Sequence, residues 1–220
     1  MKICLLIPGY NEARTIGEVV SEARKIIESV VVVDDGSSDA TAQIAENAGA
    51  LVIKHPVNRG KGAALRTGFQ YVLDHGYDAL ITMDSDGQHD VNDIPGFLEA
   101  FDRTGSGIII GSRMQDISTM PAVRKLTNKF TSFIGSLLAR QKINDSQSGF
   151  RLISSDVLRA VELETTGYEM ESEILIKASK AGFRITSVPI KTIYGQEVSK
   201  INPVVDTYRF IRLLFRSLRW

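Results

Sequence analysis

The chain has 220 residues, with 26 basic and 26 acidic side chains and a formal net charge of zero. A whole-chain basic footprint for nucleic acid is therefore missing. Hydrophobic residues make up 43% and charged residues 24%, the mix of a globular protein with a core rather than of a disordered chain. The single cysteine, Cys4, cannot form an internal disulfide and suits a reducing compartment. Within the first apolar run it reads as a small core residue. Only five apolar residues separate Lys2 from Pro8, too few for a secretory segment. No stretch reaches the ~20 apolar residues that cross a bilayer. The expectation is a cytoplasmic protein, soluble or lying on a membrane without crossing it.

The first half alternates between strand and helix periods. Lys2–Pro8 is an apolar strand bounded by a breaker, and Arg14–Glu28 has helical spacing through Ile16, Val19, Val20, Ala23, Ile26 and Ile27. Ser29–Asp34 contains the run Val30–Val33, which suits a strand covered on both faces. Helix at Asp39–Ala48, strand at Leu51–Lys54, helix at Gly62–His75 and strand at Ala79–Asp84 follow. Asp93–Arg103 and Gly107–Gly111 repeat the alternation, and the pattern then loosens. Helices are expected at Pro121–Arg140, Tyr168–Ala181 and Val204–Trp220, with extended chain at Phe150–Ile153 and Arg184–Tyr194. The whole predicts one α/β domain, a mostly parallel sheet with helices on both sides and an irregular C-terminal third.

Ligands of open α/β sheets bind outside the carboxyl ends of the strands. The polar residues of this sequence collect there, on four consecutive strands. The clusters are Pro8-Gly9-Tyr10-Asn11-Glu12, Asp34–Asp39, Asn58-Arg59-Gly60-Lys61-Gly62 and Asp84-Ser85-Asp86-Gly87-Gln88. Strand alternation sends Asp84 and Asp86 to one side, where like charges repel unless a cation neutralises them. A hard divalent ion does so and keeps positions open for phosphates, and Gln88 can add a carbonyl ligand. Asn58–Gly62 suits an anion near a helix N-terminus. It is no Walker A loop, and no dinucleotide fingerprint follows the first strand.

These clusters, with Asn58–Gly68, Met83–Gln88, Gly111-Ser112-Arg113 and Ser148-Gly149-Phe150-Arg151, resemble the family 2 glycosyltransferases of the GT-A fold. Within that family the chain is similar to the dolichol-phosphate mannosyltransferase and polyprenyl-phosphate glycosyltransferase group. The resemblance runs from residue 2 to about 153. It implies that residues 1–111 bind the nucleotide sugar and that 112–220 bind the acceptor. Pro8, Tyr10, Glu12 and Asp35 would hold the nucleoside, and Asn11, Gly36, Lys61, Asp84, Ser85 and Asp86 would complete the donor site. Asp84, Asp86 and Gln88 would hold Mg²⁺ or Mn²⁺. Arg113, Arg124, Lys129 and Arg151 would face a lipid phosphate. Two departures stand out: Val91 where many relatives have proline, and Lys129 for an arginine, which loses the bidentate fork.

The implied reaction is a single inverting displacement of the nucleoside diphosphate by a polyprenyl phosphate. A phosphate monoester is already an anion near neutral pH and needs positioning more than a base. A sugar-hydroxyl acceptor is the alternative; it requires a general base, for which Asp145 is the candidate beside its reading as a solvated loop residue. A non-catalytic nucleotide-sugar-binding subunit is a third possibility. The Q-x-x-R-W signature of polysaccharide-extending relatives is absent. His55 and His75 read as surface residues, His89 as a loop histidine beside the metal loop, and Tyr71, Tyr77 and Phe97 as core. Arg209, Arg212, Arg216 and Arg219 share one face of the last predicted helix, with Tyr208, Ile211, Leu214, Phe215 and Leu218 opposite. That pattern predicts a helix lying on the cytoplasmic face of the membrane, or one packed on the sheet.

Overall fold

The computed structural model describes residues 1–114, 122–167, 169–191, 212–217 and 220, with side chains from Lys125 onward in the helix that begins at Ala122. The strands are β1 (Ile3–Gly9), β2 (Ser29–Asp34), β3 (Leu51–Lys54), β4 (Ala79–Thr82), β5 (Ile108–Ser112), β6 (Arg151–Ser154) and β7 (Ile185–Pro189). They form one sheet in the order β3-β2-β1-β4-β6-β5-β7. Among them β6 alone runs antiparallel, between β4 and β5. The chain winds outward from β1 to β3 and returns to β4 on the other side of β1. The carboxyl ends of β1 and β4 therefore flank a switch point, where such sheets open a crevice.

Alternation along β1 and β2 explains their uninterrupted apolar runs. Leu6, Val31 and Val33 point into one core with Ala64, Leu65 and Phe69 of α3 (Lys61–Asp74) and with Ile174 and Leu175 of α7 (Met170–Lys180). Leu5, Ile7, Val30 and Val32 point into the other. There they meet α1 (Ile16–Ala23), Ala45 of α2 (Thr41–Asn47), and Ile94 and Phe97 of α4 (Ile94–Thr104). Burial on both faces is why no polar residue interrupts Val30–Val33. Tyr77 and Phe97 are core residues, as expected, and Tyr71 stacks on His75.

Element boundaries differ from the sequence expectation in instructive ways. The first helix stops at Ala23 rather than Glu28. The amides of Lys25 and Ile26 bond three residues back, to Glu22 and Ala23, a tightened turn that swings the chain into β2. The sequence pattern missed α6 (Ser155–Ala160), which is capped by Ser154 accepting from the Val157 amide. Its six residues are too short to show a period. The long predicted helix is α5 (Ala122–Ala139). Of the predicted last helix, residues 212–217 are helical; Tyr208, Arg209, Ile211, Leu218 and Arg219 lie outside the described residues.

α3 reaches β1 through Gly68, where an added Cβ would stand 2.3 Å from Leu6 Cδ1. Alanine is the better helix former by about 1 kcal/mol. Overpacking a fully buried leucine costs about 1–3 kcal/mol, so the clash should win. Gly68→Ala is expected to lower the urea midpoint with an unchanged m-value; a midpoint at or above that of the parent would contradict this packing.

Candidate active site

The four polar clusters converge at the switch point. Asn11 adopts φ 54 and acts as a clip between loops: its side-chain oxygen accepts from Ser38 N at 2.9 Å, and its amide donates to Ser37 Oγ at 2.9 Å. Glu12 N donates to Thr41 Oγ1, and Thr15 Oγ1 donates to Ser85 O at 2.8 Å, joining the loop after β1 to the metal loop. Pro8 is buried inside β1, whereas Tyr10 is exposed at the rim.

Asp35 is buried, and its carboxylate is committed to the loop before α3. It accepts from Gly60 N at 2.7 Å, from Arg59 N at 3.0 Å, and faces His55 Nδ1 at 2.6 Å. His55 Nε2 lies 2.9 Å from Thr67 Oγ1. The expectation of a surface histidine at 55 is thus corrected: it is buried because a buried carboxylate needs partners. Gly36 permits the close approach of these loops, since φ is +73 and a Cβ would meet Val57 C at 2.5 Å. Asp35 therefore shapes this side of the crevice through the loop it holds.

That loop delivers Lys61 to the carboxylates that follow β4. Lys61 Nζ lies 2.6 Å from Asp84 Oδ1 and 2.6 Å from Glu171 Oε1. Burial opposes its charge, but attraction to Asp84 and Glu171 outweighs this and raises its pKa. Asp84 is likewise desolvated, yet the Lys61 charge and a His89 contact hold its carboxyl well below the ordinary range. Asp86 moves the other way, raised by burial and by the Asp84 charge beside it. Gly149 makes room for the cluster, since a Cβ there would fall 2.6 Å from Asp84 Oδ2. His89 is buried against Phe150, with Nε2 3.6 Å from Asp84 Oδ2 and Nδ1 unpartnered. Among the described residues no third His, Cys, Asp or Glu gathers with the pair into a metal cage. Two neighbouring carboxylates are the oxygen ligands that suit a hard cation taking its remaining ligands from phosphates and water. Gln88 stays half-buried next to them, its amide donating to Asp86 Oδ1.

Arg113 follows β5 and is forked on Asp145, Nε to Oδ2 at 2.8 Å and Nη2 to Oδ1 at 2.9 Å. Nη1 lies outside the fork. Asp145 also accepts from Asn128 Nδ2 of α5 at 2.9 Å. Desolvation alone would raise its pKa, but the Arg113 bonds overcome it and hold the carboxyl below its ordinary range. Asp145 is neither a solvated loop residue nor poised to take a proton. Arg113 in turn feels the charges of Glu171 and Asp84, which places it in the same site.

The sequence placed Arg151 at the acceptor, and the structure corrects this. Arg151 is 2% exposed; its Nε donates to Ser148 O, Nη2 to Ser146 O and Nη1 to Glu171 O. The guanidinium braces the start of α7 from beneath. Lys129 is exposed on α5, and the side chain of Arg124 lies outside the described residues. Glu171 was missed: nothing in the acid-rich start of α7 distinguishes it from Glu169 or Glu173 before the fold brings it to Lys61.

The profile of glycosyl transferase family 2 matches residues 4–161. The chain belongs to glycosyl transferase family 2. This glycosyltransferase is 35% identical to the UDP-N-acetylglucosamine–dolichyl-phosphate N-acetylglucosaminyltransferase of Methanococcus voltae, covering 98% of this chain and 96% of that protein. It is 32% identical to the undecaprenyl-phosphate mannosyltransferase of Micrococcus luteus, covering 86% of this chain and 83% of that one. The GT-A fold is shared with glucosyl-3-phosphoglycerate synthase of Mycobacterium tuberculosis, solved with Mn²⁺, uridine diphosphate and glucosyl-3-phosphoglycerate. The TM-score is 0.70 at 18% identity, over 99% of this chain and 78% of that one.

Removing one partner of a buried ion pair costs about 3–5 kcal/mol. Asp145→Asn keeps the shape and strips the charge, so a loss near 3 kcal/mol in unfolding free energy is expected at pH 7. The folded pKa of Asp145 is depressed, so its contribution is present above the unfolded value of ~3.9 and is lost as pH falls through the lower folded value. The gap between parent and variant should therefore close on acidification; a gap constant down to pH ~3 would contradict the pairing.

Proposed function

We propose that this glycosyltransferase moves a hexosyl group from a nucleotide sugar to a polyprenyl phosphate, with inversion and with Mg²⁺ or Mn²⁺ on Asp84, Asp86 and Gln88. The observation that carries the acceptor assignment is the Arg113–Asp145 fork. A sugar-hydroxyl acceptor needs a base, and the candidate base is locked as a counter-ion. An acceptor that arrives as an anion needs orientation instead, and a fixed guanidinium supplies it. The named acceptors of the two relatives, dolichyl phosphate and undecaprenyl phosphate, support the same reading.

In this reading residues 1–111 hold the donor and 112–220 the acceptor. When bound, the cation would neutralise the departing diphosphate. Lys61 supplies a fixed positive charge at the same place. Arg113, with Lys129 and Arg124 on α5, orients the acceptor phosphate for in-line attack. The test is a panel of GDP-mannose, UDP-glucose and UDP-N-acetylglucosamine with undecaprenyl phosphate. One donor should yield lipid-linked sugar, with turnover abolished by EDTA and lowered at least ~100-fold in Asp86→Asn. Asp86 carries like-charge repulsion, so the variant should remain folded. Donor hydrolysis without lipid product, or transfer to a sugar hydroxyl instead, would sink the acceptor assignment.

We also propose that the enzyme lies on the cytoplasmic face of a membrane, chiefly through α5. Among the described residues no helix is long and apolar enough to cross one. The C-terminal helix was the sequence-based candidate; Arg212 and Phe215 are exposed on it, but its other face is tied to the body of the protein. Leu213 and Ser217 are buried, Arg216 pairs with Glu164, and Lys180 Nζ donates to Ser217 O at 2.7 Å. α5 is the reverse. Its inner face is polar, with Asn128, Thr131 and Ser132 buried. Its outer face carries Leu126, Phe130, Phe133 and Leu137, each 61–72% exposed and spaced four, three and four apart. The helix has three basic residues, Arg124, Lys125 and Lys129, and no acidic one. Sinking each large apolar side chain gains about 1.5–3 kcal/mol, and each cation near an anionic leaflet about 1 kcal/mol. Changing the four outer residues to serine should abolish flotation with anionic vesicles and leave thermal stability intact. Retained, salt-sensitive flotation would return the contact to the C-terminal helix.

A further inference from the structure

Lys61 is the meeting point of two carboxylates with different surroundings. The Asp84 side chain is 29% exposed and faces the crevice, whereas that of Glu171 is 11% exposed. Both ends of the contact are fixed by backbone. Lys61 opens α3 behind Gly60, whose amide is held by Asp35. Gly62 packs so closely under the 166 carbonyl that a Cβ would lie 2.5 Å from Thr166 O. Glu171 sits in the first turn of α7, where Arg151 holds its carbonyl. Lys61 therefore has no need of Asp84 to keep its place, and Glu171 has little room to leave.

The charges make the same point. Lys61 is shared by two carboxylates, Asp84 and Glu171, with Asp86 as a further negative charge beside Asp84. Without Glu171, a cation arriving at Asp84 would face an ammonium whose nearest countercharge it was taking away. With Glu171 the ammonium keeps a partner and the carboxylate of Asp84 can turn to the ion. Resting on the metal assignment above, we propose that Lys61 is the built-in counter-cation of Asp84, and that Glu171 is a positioning residue that retains Lys61 when a divalent cation takes Asp84 over. Lys61 then stays charged beside the diphosphate instead of being expelled from the site. Glu171 acts on the metal through Lys61 and not by touching it.

The test reads metal binding without substrate. Mn²⁺ is titrated into the metal-free full-length enzyme, and free Mn²⁺ is followed by electron paramagnetic resonance. The proteins are the parent, Lys61→Met, Glu171→Gln and the double variant, each checked by thermal unfolding; Lys61→Gln replaces Lys61→Met should that chain fail to fold. Glu171→Gln is expected to weaken Mn²⁺ roughly tenfold in the parent, since Lys61 then loses the carboxylate that competes with Asp84 for it. In the Lys61→Met background the same change should do far less, because the ammonium it served is gone. Contacting residues that act as a unit show such non-additivity, whereas independent sites add. An equal effect of Glu171→Gln in both backgrounds means through-space charge alone and overturns the proposal. Absence of Mn²⁺ binding to the parent overturns it together with the metal assignment, while Mn²⁺ binding with an additive cycle overturns it alone.

Discussion

A carboxylate taken out of water must be met by a cation or by several N–H donors, because the uncompensated charge costs several kcal/mol. Among the described residues, Asp35, Asp84, Asp145 and Glu173 show how that demand is met. Asp35 is met by the amides of Arg59 and Gly60 and by His55. Asp84 is met by Lys61, Asp145 by Arg113 and Asn128, and Glu173 by Thr165, the Glu164 amide and Lys177. The first three join segments distant in sequence. Asp35 fixes the loop that carries Lys61, Lys61 ties β4 to α7, and Asp145 ties β5 to α5. The ligand end of the sheet is held by these polar ties, where the middle is held by two apolar layers.

The polar construction dictates the unusual character of α5. To reach Asp145, this helix turns Asn128 inward, and Ser132 then bonds Asn128 Oδ1 and the Ser146 amide. A helix whose polar stripe is spent on the interior has only its apolar stripe left for the outside. The exposed Leu126, Phe130, Phe133 and Leu137 are thus the other side of the Arg113 site, not a separate feature. Exposed apolar patches of this kind mark contact with a lipid or protein surface. On the proposed function, the helix that orders Arg113 is also the one that would meet the acceptor's membrane.

The order of elements and the gathering of Asp84, Asp86 and Lys61 at strand ends were legible in the sequence because each rests on local information, whereas Arg113 came only from the family resemblance. β-branched runs mark strands buried on both faces, and polar loops at strand ends mark a site. What escaped depends on tertiary contact. His55 reads as a surface residue until Asp35 is seen to need it. Glu171 is one of three alternate acids at a helix start, and only the fold selects it. α5 was expected as a helix, but periodicity gives an apolar stripe and not its direction, and here that stripe faces outward. The short α6 carried a cap and no period.

Arg113 and Arg151 show the limit of motif reading most plainly. Both sit in motifs that resemble the family, and both are arginines near the same carboxylates. Arg151 spends its three donor groups on backbone carbonyls, and burial lowers its pKa, so its charge is offset only at a distance by Glu171 and Asp145. Arg113 spends two nitrogens on one carboxylate and keeps a 21% exposed side chain. Because Asp145 already balances its charge, Arg113 adds little net attraction for a phosphate and a good deal of direction. On the proposed function, affinity for the acceptor then comes from elsewhere: from Lys129 and the other cations of α5, and from a membrane surface that confines the lipid to the plane on which that helix rests. Orientation by a neutralised guanidinium and concentration by an interface divide the work that a soluble enzyme would have to place in a single pocket.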